Sequence, residues 1–241
     1  MCVKWLFNEY ETPMETTMYD NLLLLPLFQG LSKNDFTTIL EKVRFHFLTF
    51  QEGEIFIRQG EDCQQLCFLL NGKAIVRTTD KEHAYTLSET FEAPTIIEPQ
   101  SLFGMQTKYT ATYQAQTQIK VLTIDKGYIF SELNKHEIFR LNFLNILSNR
   151  VQTAYQKIWN NHVGTLNEKL IHFIALRSQN PGGEKTLQIT MEDWAGLIDE
   201  TRINLSRLLN ELQNKELIQL KRKEFFIPDF EKLTNYLIEH D

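Results

Sequence analysis

Between residues 189 and 218, apolar positions recur at helical spacing in two stretches with a short polar break between them. The pattern predicts two amphipathic helices joined by a tight turn, capped by Thr190 (with Asp193 in the first turn) and Thr201. The inward positions are Trp194, Leu197 and Ile198 in the first helix and Leu205, Leu208, Leu209 and Leu212 in the second. The second helix leaves Arg202, Asn204, Ser206 and Arg207 outside or on its flanks. These are the parts of a helix-turn-helix, although an ordinary helical hairpin fits the local pattern equally well.

A basic hairpin is predicted directly after the second helix. Short apolar stretches at 217–220 and 225–227 flank Lys221, Arg222 and Lys223, as in the wing of a winged helix. Residues 201–223 hold six basic and two acidic side chains, a net charge of +4, in a chain whose formal net charge is −6. This local excess favours contact with DNA phosphates, and an ordinary run of surface charge is the alternative.

The N-terminal half has a β pattern instead. From residue 43 to 124 the chain is typical of short strands, with turns at 59–62 and 71–72. Alternation places these residues inward: Phe50, Ile55, Ile57, Leu66, Phe68 and Leu70. Many short strands with such turns predict a jelly-roll or barrel, preceded by a helix over residues 33–43 that Ser32 caps.

A long helix is predicted between the two halves, because residues 134–159 contain no proline or glycine. Apolar residues recur there at alternating spacings of three and four: Leu144, Leu147, Val151, Ala154 and Ile158. The spacing predicts a coiled-coil seam between two copies of the chain, although a helix packed on its own β-roll would give a similar stripe. Thr165 and Glu168 then form a capping box for a helix over 166–178, and a short strand follows over 185–189.

The composition and the reactive residues indicate no enzyme. The 241 residues are 42% hydrophobic and 23% charged, as in globular proteins. Cys2, Cys63 and Cys67 are too few for a disulfide scaffold or a four-thiolate site, and we interpret them as structural. The sequence has no paired histidine ligands, nucleophile–histidine–acid order or phosphate-binding glycine loop. We therefore expect no catalytic residues, metal or cofactor.

The first residues bear on where the protein acts. MCVKWLFNEYETPMETT lacks the apolar core and cleavage site of a signal peptide, and the longest apolar run, 22–28, is too short to cross a bilayer. We expect a cytoplasmic protein with no membrane contact. Met14 and Met18 suggest the hypothesis that translation starts at one of them, and residues 1–20 are expected to form a poorly ordered extension.

Two motifs resemble known families. Phe50, Gly53, Glu54, Gly60 and Glu61, followed by FLLNG at 68–72, resemble the opening of the cyclic-nucleotide-binding β-roll. ITMEDWAGLIDETRINLSRLLNELQNKELI resembles the helix-turn-helix of the Crp/Fnr family of bacterial transcription regulators. The likeness extends from about Pro26 to Ile227 in the family's domain order. It implies a homodimer on double-stranded DNA, recognition helices about 34 Å apart, a near-palindromic operator, and RNA polymerase as a partner.

The pattern and the resemblance together give a set of candidate DNA-binding residues: Thr190, Thr201, Arg202, Asn204, Ser206, Arg207, Lys221, Arg222 and Lys223. The resemblance implies that Arg202, Ser206 and Arg207 face the groove and that Thr190 lies near a phosphate. Arg202 and Arg207 would read guanines from the groove-facing side of the helix, with Asn204 as a weaker candidate reader. Ile203 stands where many relatives have a polar base reader, and it would touch a thymine methyl group. Asp199 and Glu200 are unfavourable near phosphates.

The effector site matches the family less well. Relatives that bind cyclic nucleotides use a Gly-Glu pair for the ribose and a later Arg-Ser or Arg-Thr pair for the phosphate, where this chain has Glu98-Pro99 and Tyr109-Thr110. Proline donates no backbone hydrogen bond, tyrosine cannot neutralise a phosphate, and Lys108 is one residue out of register. The candidate pocket residues are Glu98, Lys108, Tyr109 and Thr110. They favour a small effector other than cyclic AMP, or a protein that binds DNA constitutively.

The predicted fold is α+β: an extension over 1–20, an effector β-roll (double-stranded β-helix, or jelly-roll) over 21–133, a dimerisation helix over 134–161, and a winged helix-turn-helix over 162–241. The predicted function is sequence-specific transcription regulation of the Crp/Fnr type by a homodimer. The alternative is a ligand-binding or partner-binding module whose helix-turn-helix has lost DNA binding. The acidic pair at 199–200 and the net negative charge leave room for that alternative.

Overall fold

The structure is a computed structural model that describes residues 22–23, 25–82, 84–159 and 164–239. The predicted extension over 1–20 and the predicted end of the long helix at 160–161 lie outside these residues. Cys2 and the two alternative starts, Met14 and Met18, also lie outside them.

Eight antiparallel strands form the N-terminal domain, as the sequence pattern predicts. They are β1 Phe45–Phe50, β2 Ile55–Ile57, β3 Gln65–Asn71, β4 Lys73–Asp80, β5 Tyr85–Glu92, β6 Thr95–Ile97, β7 Thr112–Ala115 and β8 Ile119–Asp125. One sheet has the order β1-β8-β3-β6, and the other contains β5-β4-β7-β2. A helix, α1 (Lys33–Lys42), precedes them, and the Ser32 side chain accepts a hydrogen bond from the amide of Asp35, which confirms the predicted cap.

The burial of the strands departs from simple alternation in two places. In β3, residues 66–69 are buried consecutively, because both faces of this central strand are covered. Phe28 covers its outer face, with its ring centroid 5.9 Å from that of Phe68. Ile55, a predicted inward position, is 37% exposed, because β2 lies at the sheet edge and its pairing with β7 is irregular there.

The long helix follows a short helix, α2 (Lys126–Ser131), and a 3-10 turn. It is α3, Glu137–Trp159, and it begins later than residue 134 because Leu133–Lys135 forms that turn. One face of α3 contacts the β-roll: Phe139 is buried there, and Phe143 and Ile146 pack against the same core.

The C-terminal domain is a winged helix. Its elements are α4 Leu166–Arg177, β9 Lys185–Gln188, α5 Met191–Leu197, α6 Arg202–Asn214, β10 Gln219–Lys221, β11 Glu224–Ile227 and α7 Phe230–Glu239. The capping box of Thr165 and Glu168 at the start of α4 is confirmed. A second hydrophobic core surrounds Trp194, whose ring centroid lies 4.8 Å from that of Phe225.

The two domains share a sheet, which the sequence does not predict. Strand β9 pairs with β5 from Thr86↔Gln188 to Glu89↔Lys185, so that seven strands run in the order β10-β11-β9-β5-β4-β7-β2. In the part of the chain that the structure describes, no helix combines the length and apolar character that a membrane crossing needs.

Candidate DNA-binding surface and effector region

The helix-turn-helix is built by two capped helices. The Thr190 hydroxyl accepts the amide of Asp193 at 3.1 Å, and the Thr201 hydroxyl accepts the amide of Asn204 at 3.2 Å. Asp199 occupies the turn with a φ of 51°. On α6, Leu205, Leu209 and Leu212 are buried while Leu208 is half-buried. Both predicted caps and the predicted apolar stripe are therefore confirmed, although the two threonine hydroxyls are occupied by these caps.

The outward side of α6 is accessible. Arg202, Ile203, Asn204 and Arg207 are exposed, Ser206 is half-buried, and Ile203 leaves 70% of its surface in solvent. Exposing the apolar side chain of Ile203 to water is unfavourable in the free protein. The position therefore suits a contact that is made only in a complex. The side chains proposed as base readers are therefore all accessible on the outward half of the helix.

Ion pairs reduce the positive charge of this surface. Arg202 Nε lies 3.2 Å from a carboxylate oxygen of Glu192, and Lys221 Nζ lies 3.0 Å from one of Glu224. Glu192 and Glu224 both lie outside residues 201–223, over which the net charge was counted. The excess of positive charge at this surface is therefore smaller than the sequence count of +4 indicates. Among the described residues, Arg207, Arg222 and Lys223 form no ion pair, which leaves these three charges available to DNA.

Of the two acidic residues beside the turn, Glu200 is paired within the domain, while the side chain of Asp199 is exposed. Lys169 of α4 lies 2.9 Å from a carboxylate oxygen of Glu200, and its ammonium also donates to the carbonyl of Asp199. The side chains of Lys169 and Glu200 are each less than one-fifth exposed. The hydrogen bond from Lys169 lowers the pKa of Glu200. The sequence gives no signal for Lys169 as the partner of Glu200, because it lies 31 positions from Glu200 along the chain.

The effector region centres on one buried carboxylate. Glu98 is 1% exposed and stands at a left-handed φ of 38°. Its two oxygens accept hydrogen bonds from the Ser101 hydroxyl at 2.8 Å, the amide of Thr110 at 2.8 Å, the amide of Ala111 at 3.1 Å and the Tyr113 hydroxyl at 3.0 Å. These donors satisfy the buried charge inside the protein.

The other three candidate pocket residues do not converge on Glu98 through their side chains. Lys108 is exposed and pairs through its backbone with Asp62, and Thr110 is exposed. Tyr109 is buried, and its hydroxyl donates to the carbonyl of Gln65 at 3.3 Å. Burial raises the pKa of Tyr109. The side chains of the four candidate residues therefore point to different places, since neighbouring residues of an extended chain point to opposite faces.

A cavity of about 240 Å³ lies between the sheets, and Tyr109 is the member of the candidate set that lines it. Thr123 also lines it, and its hydroxyl has no hydrogen-bond partner in the part of the chain that the structure describes. Cys67 borders the same space as a buried free thiol, and burial raises its pKa. Within the described residues, no group of three or more histidine, cysteine or acidic side chains is placed to hold a metal ion.

Two family models match separate parts of the chain. The cyclic nucleotide-binding domain matches residues 47–136, and the Crp-like helix-turn-helix domain matches residues 168–236. Together they span the β-roll and the winged helix described above. No curated protein sequence matches the chain.

Solved structures share the fold at low sequence identity. The catabolite activator protein of Thermus thermophilus is 18% identical with a TM-score of 0.51, over 88% of this chain and 99% of that one. The sensor domain of the transcriptional regulator DNR from Pseudomonas aeruginosa is 20% identical with a TM-score of 0.51, over 64% of this chain and 99% of that one. Because a cyclic nucleotide-binding domain is followed by a Crp-like helix-turn-helix domain, the chain belongs to the Crp/Fnr family of transcription regulators.

Proposed function

We propose that this protein acts as a homodimer on a near-palindromic operator, with α6 in the major groove. The accessible polar face of α6 over a buried leucine stripe carries this proposal. Arg202 and Arg207 read guanines, with Asn204 and Ser206 beside them, because a guanidinium matches the two acceptors of guanine. Contacts to phosphates come from the starts of the two helices and from the wing: Thr190, Thr201, Lys221, Arg222 and Lys223.

The internal pairing of Glu200 favours this function over a degenerate DNA-binding domain. Its carboxylate is held by Lys169 and less than one-fifth exposed, so it repels an approaching phosphate less than a free surface acid would. Within the described ranges of the chain, Arg222 and Lys223 of the wing form no ion pair. We expect the protein to act in the cytoplasm, where DNA and RNA polymerase, its partner by family resemblance, are found.

The proposed dimer uses the free face of α3. On the flank of α3 beside the side that packs on the β-roll, Leu144 is 59% exposed, Val151 55% and Ile158 61%. Ala154 is also exposed, while Leu147 is half-buried. These residues form the alternating three-and-four stripe, which fits a second copy of the same helix. One copy alone leaves this stripe in water, so association would bury it.

The double substitution Leu144→Asp/Val151→Asp is expected to convert the dimer to a monomer, because two carboxylates would be buried against their copies. Analytical ultracentrifugation at micromolar concentration measures the oligomeric state. The matched control is Asn149→Asp/Gln156→Asp, which adds two carboxylates at the same spacing away from the stripe. A monomeric unmodified protein, or a dimeric Leu144→Asp/Val151→Asp variant, would contradict the proposed interface.

The proposed effector is a small molecule other than cyclic AMP. The amides of Thr110 and Ala111 already donate to Glu98, so a phosphate at this place would meet a carboxylate instead of free donors. Arg150 of α3 is half-buried, and it already donates to the side chain of Gln100 and, at 3.4 Å, to the carbonyl of Ile96. A cyclic nucleotide would have to displace this internal network.

Selection of bound genomic DNA fragments, with and without cyclic AMP, tests the proposed function. We expect enrichment of one near-palindrome with half-sites about one helical turn apart, equally in both conditions. No enrichment at low salt would indicate a module whose helix-turn-helix no longer binds DNA. Enrichment only with cyclic AMP would contradict the proposed effector class and leave the DNA-binding role intact.

A further inference from the structure

The loop between α4 and β9 is fastened to the β-roll by buried polar contacts. The Glu89 carboxylate of β5 accepts the amide of Gln179 at 2.8 Å and that of Asn180 at 3.1 Å. It also lies 2.7 Å from Lys185 Nζ, and these two charged side chains are 2% and 0% exposed. The Lys185 ammonium donates further to the carbonyls of Asn180 and Gly182. The winged helix is therefore held on β5 by this network and by strand pairing.

Tyr113 joins this loop to the effector region. Its side chain is fully buried, and its hydroxyl lies 3.0 Å from Glu98 Oε1 and 3.1 Å from the side-chain oxygen position of Gln179. A hydroxyl has one proton, which the carboxylate accepts. With the Gln179 side-chain amide turned so that its NH₂ group faces Tyr113, that group donates to the same hydroxyl. A continuous series of hydrogen bonds then runs from Gln179 through Tyr113 to Glu98.

Gln179 is thus held at two points. Its backbone amide is bound to Glu89, which also holds Lys185 of β9, and its side chain is bound to Tyr113, which also holds Glu98. A shift of Glu98 changes the position of the Tyr113 hydroxyl, and the loop must follow or lose a buried hydrogen bond. An unpaired buried donor is costly. The native position of Glu98 therefore favours the native position of the loop at Gln179, and the reverse also holds.

We propose that Tyr113 and Gln179 are positioning residues that couple the surroundings of Glu98 to the docking of the winged helix on β5. A ligand that displaces the Glu98 carboxylate loosens the β5–β9 pairing, and a firmly docked winged helix disfavours that displacement, since coupling between two sites is reciprocal. The effect on operator binding rests on the proposed function, but the coupling itself does not.

Hydrogen exchange of the full-length protein, followed by mass spectrometry, tests the coupling. Tyr113→Phe removes only the hydroxyl, and we expect amide exchange in residues 85–92 and 178–188 to rise about tenfold, as for loss of one buried hydrogen bond. The matched control is Tyr109→Phe, whose hydroxyl bonds to Gln65 inside the β-roll. In that variant, exchange at 178–188 stays unchanged.

A second variant changes the network at Glu98, in the effector region. Glu98→Gln keeps the shape but replaces one acceptor oxygen with a donor group, and exchange at 178–188 is again expected to rise although residue 98 does not contact that loop directly. A rise confined to residues 98–113, or an equal rise across all strands including 45–57, would overturn the coupling. Neither measurement uses an operator, so failure of the DNA selection leaves this test intact.

Discussion

Replacing Arg207 with alanine is expected to remove most of the preference for the operator over unrelated DNA. Arg207 is exposed on α6 and forms no ion pair among the described residues, so its guanidinium is free to pair with guanine. Loss of one bidentate base contact costs about 1–3 kcal/mol of discrimination, roughly 10-fold to more than 100-fold. Affinity for unrelated duplexes should change much less.

Arg222→Ala is the comparison for Arg207→Ala, because it removes one wing charge without removing a base reader. It is expected to weaken binding to all duplexes alike and to reduce the salt dependence by about 0.9 in the slope of log K against log salt. Lys221 is less suitable, because its ammonium is paired with Glu224. Fluorescence anisotropy with the selected operator and a scrambled duplex at several salt concentrations separates the two effects. Equal losses on both duplexes for Arg207→Ala would contradict its role as a base reader.

Lys185→Ala is expected to destabilise the folded protein by about 3–5 kcal/mol, because it leaves the Glu89 carboxylate buried without its counter-charge. The Lys185 side chain is 0% exposed and donates to three different oxygens. Urea unfolding followed by circular dichroism measures the free energy of unfolding.

Two control variants are needed to interpret the stability of Lys185→Ala. Lys73→Ala breaks an exposed pair with Glu92 between neighbouring strands and should change stability little, because solvent screens both charges. Glu89→Leu/Lys185→Leu removes both buried charges and should recover part of the loss, but only part, because the amides of Gln179 and Asn180 lose their acceptor. A Lys185→Ala variant as stable as Lys73→Ala would show that the winged helix is not docked on β5 in solution.

Features set by neighbours within one or two helical turns were predictable from the sequence. The caps at Thr190 and Thr201 and the capping box of Thr165 are confirmed, because a short polar side chain needs only an amide three residues away. The apolar stripe of α6 is confirmed for the same reason, since helical spacing alone brings its leucines to one side.

The sequence by itself determined the short strands, the long helix, the capped helix pair and the accessible face of α6, because periodicity and capping act over a few residues. Its resemblance to a known family then identified these elements as a β-roll and a winged helix. Only the tertiary structure decided the partners of Glu98, Glu200 and Lys185. Glu89 and Lys185 are 96 positions apart, and Lys169 and Glu200 are 31 apart. At such separations the partner of a charge depends on which strand edges meet and which faces are buried. That outcome depends on the packing of the whole chain, which no local pattern encodes.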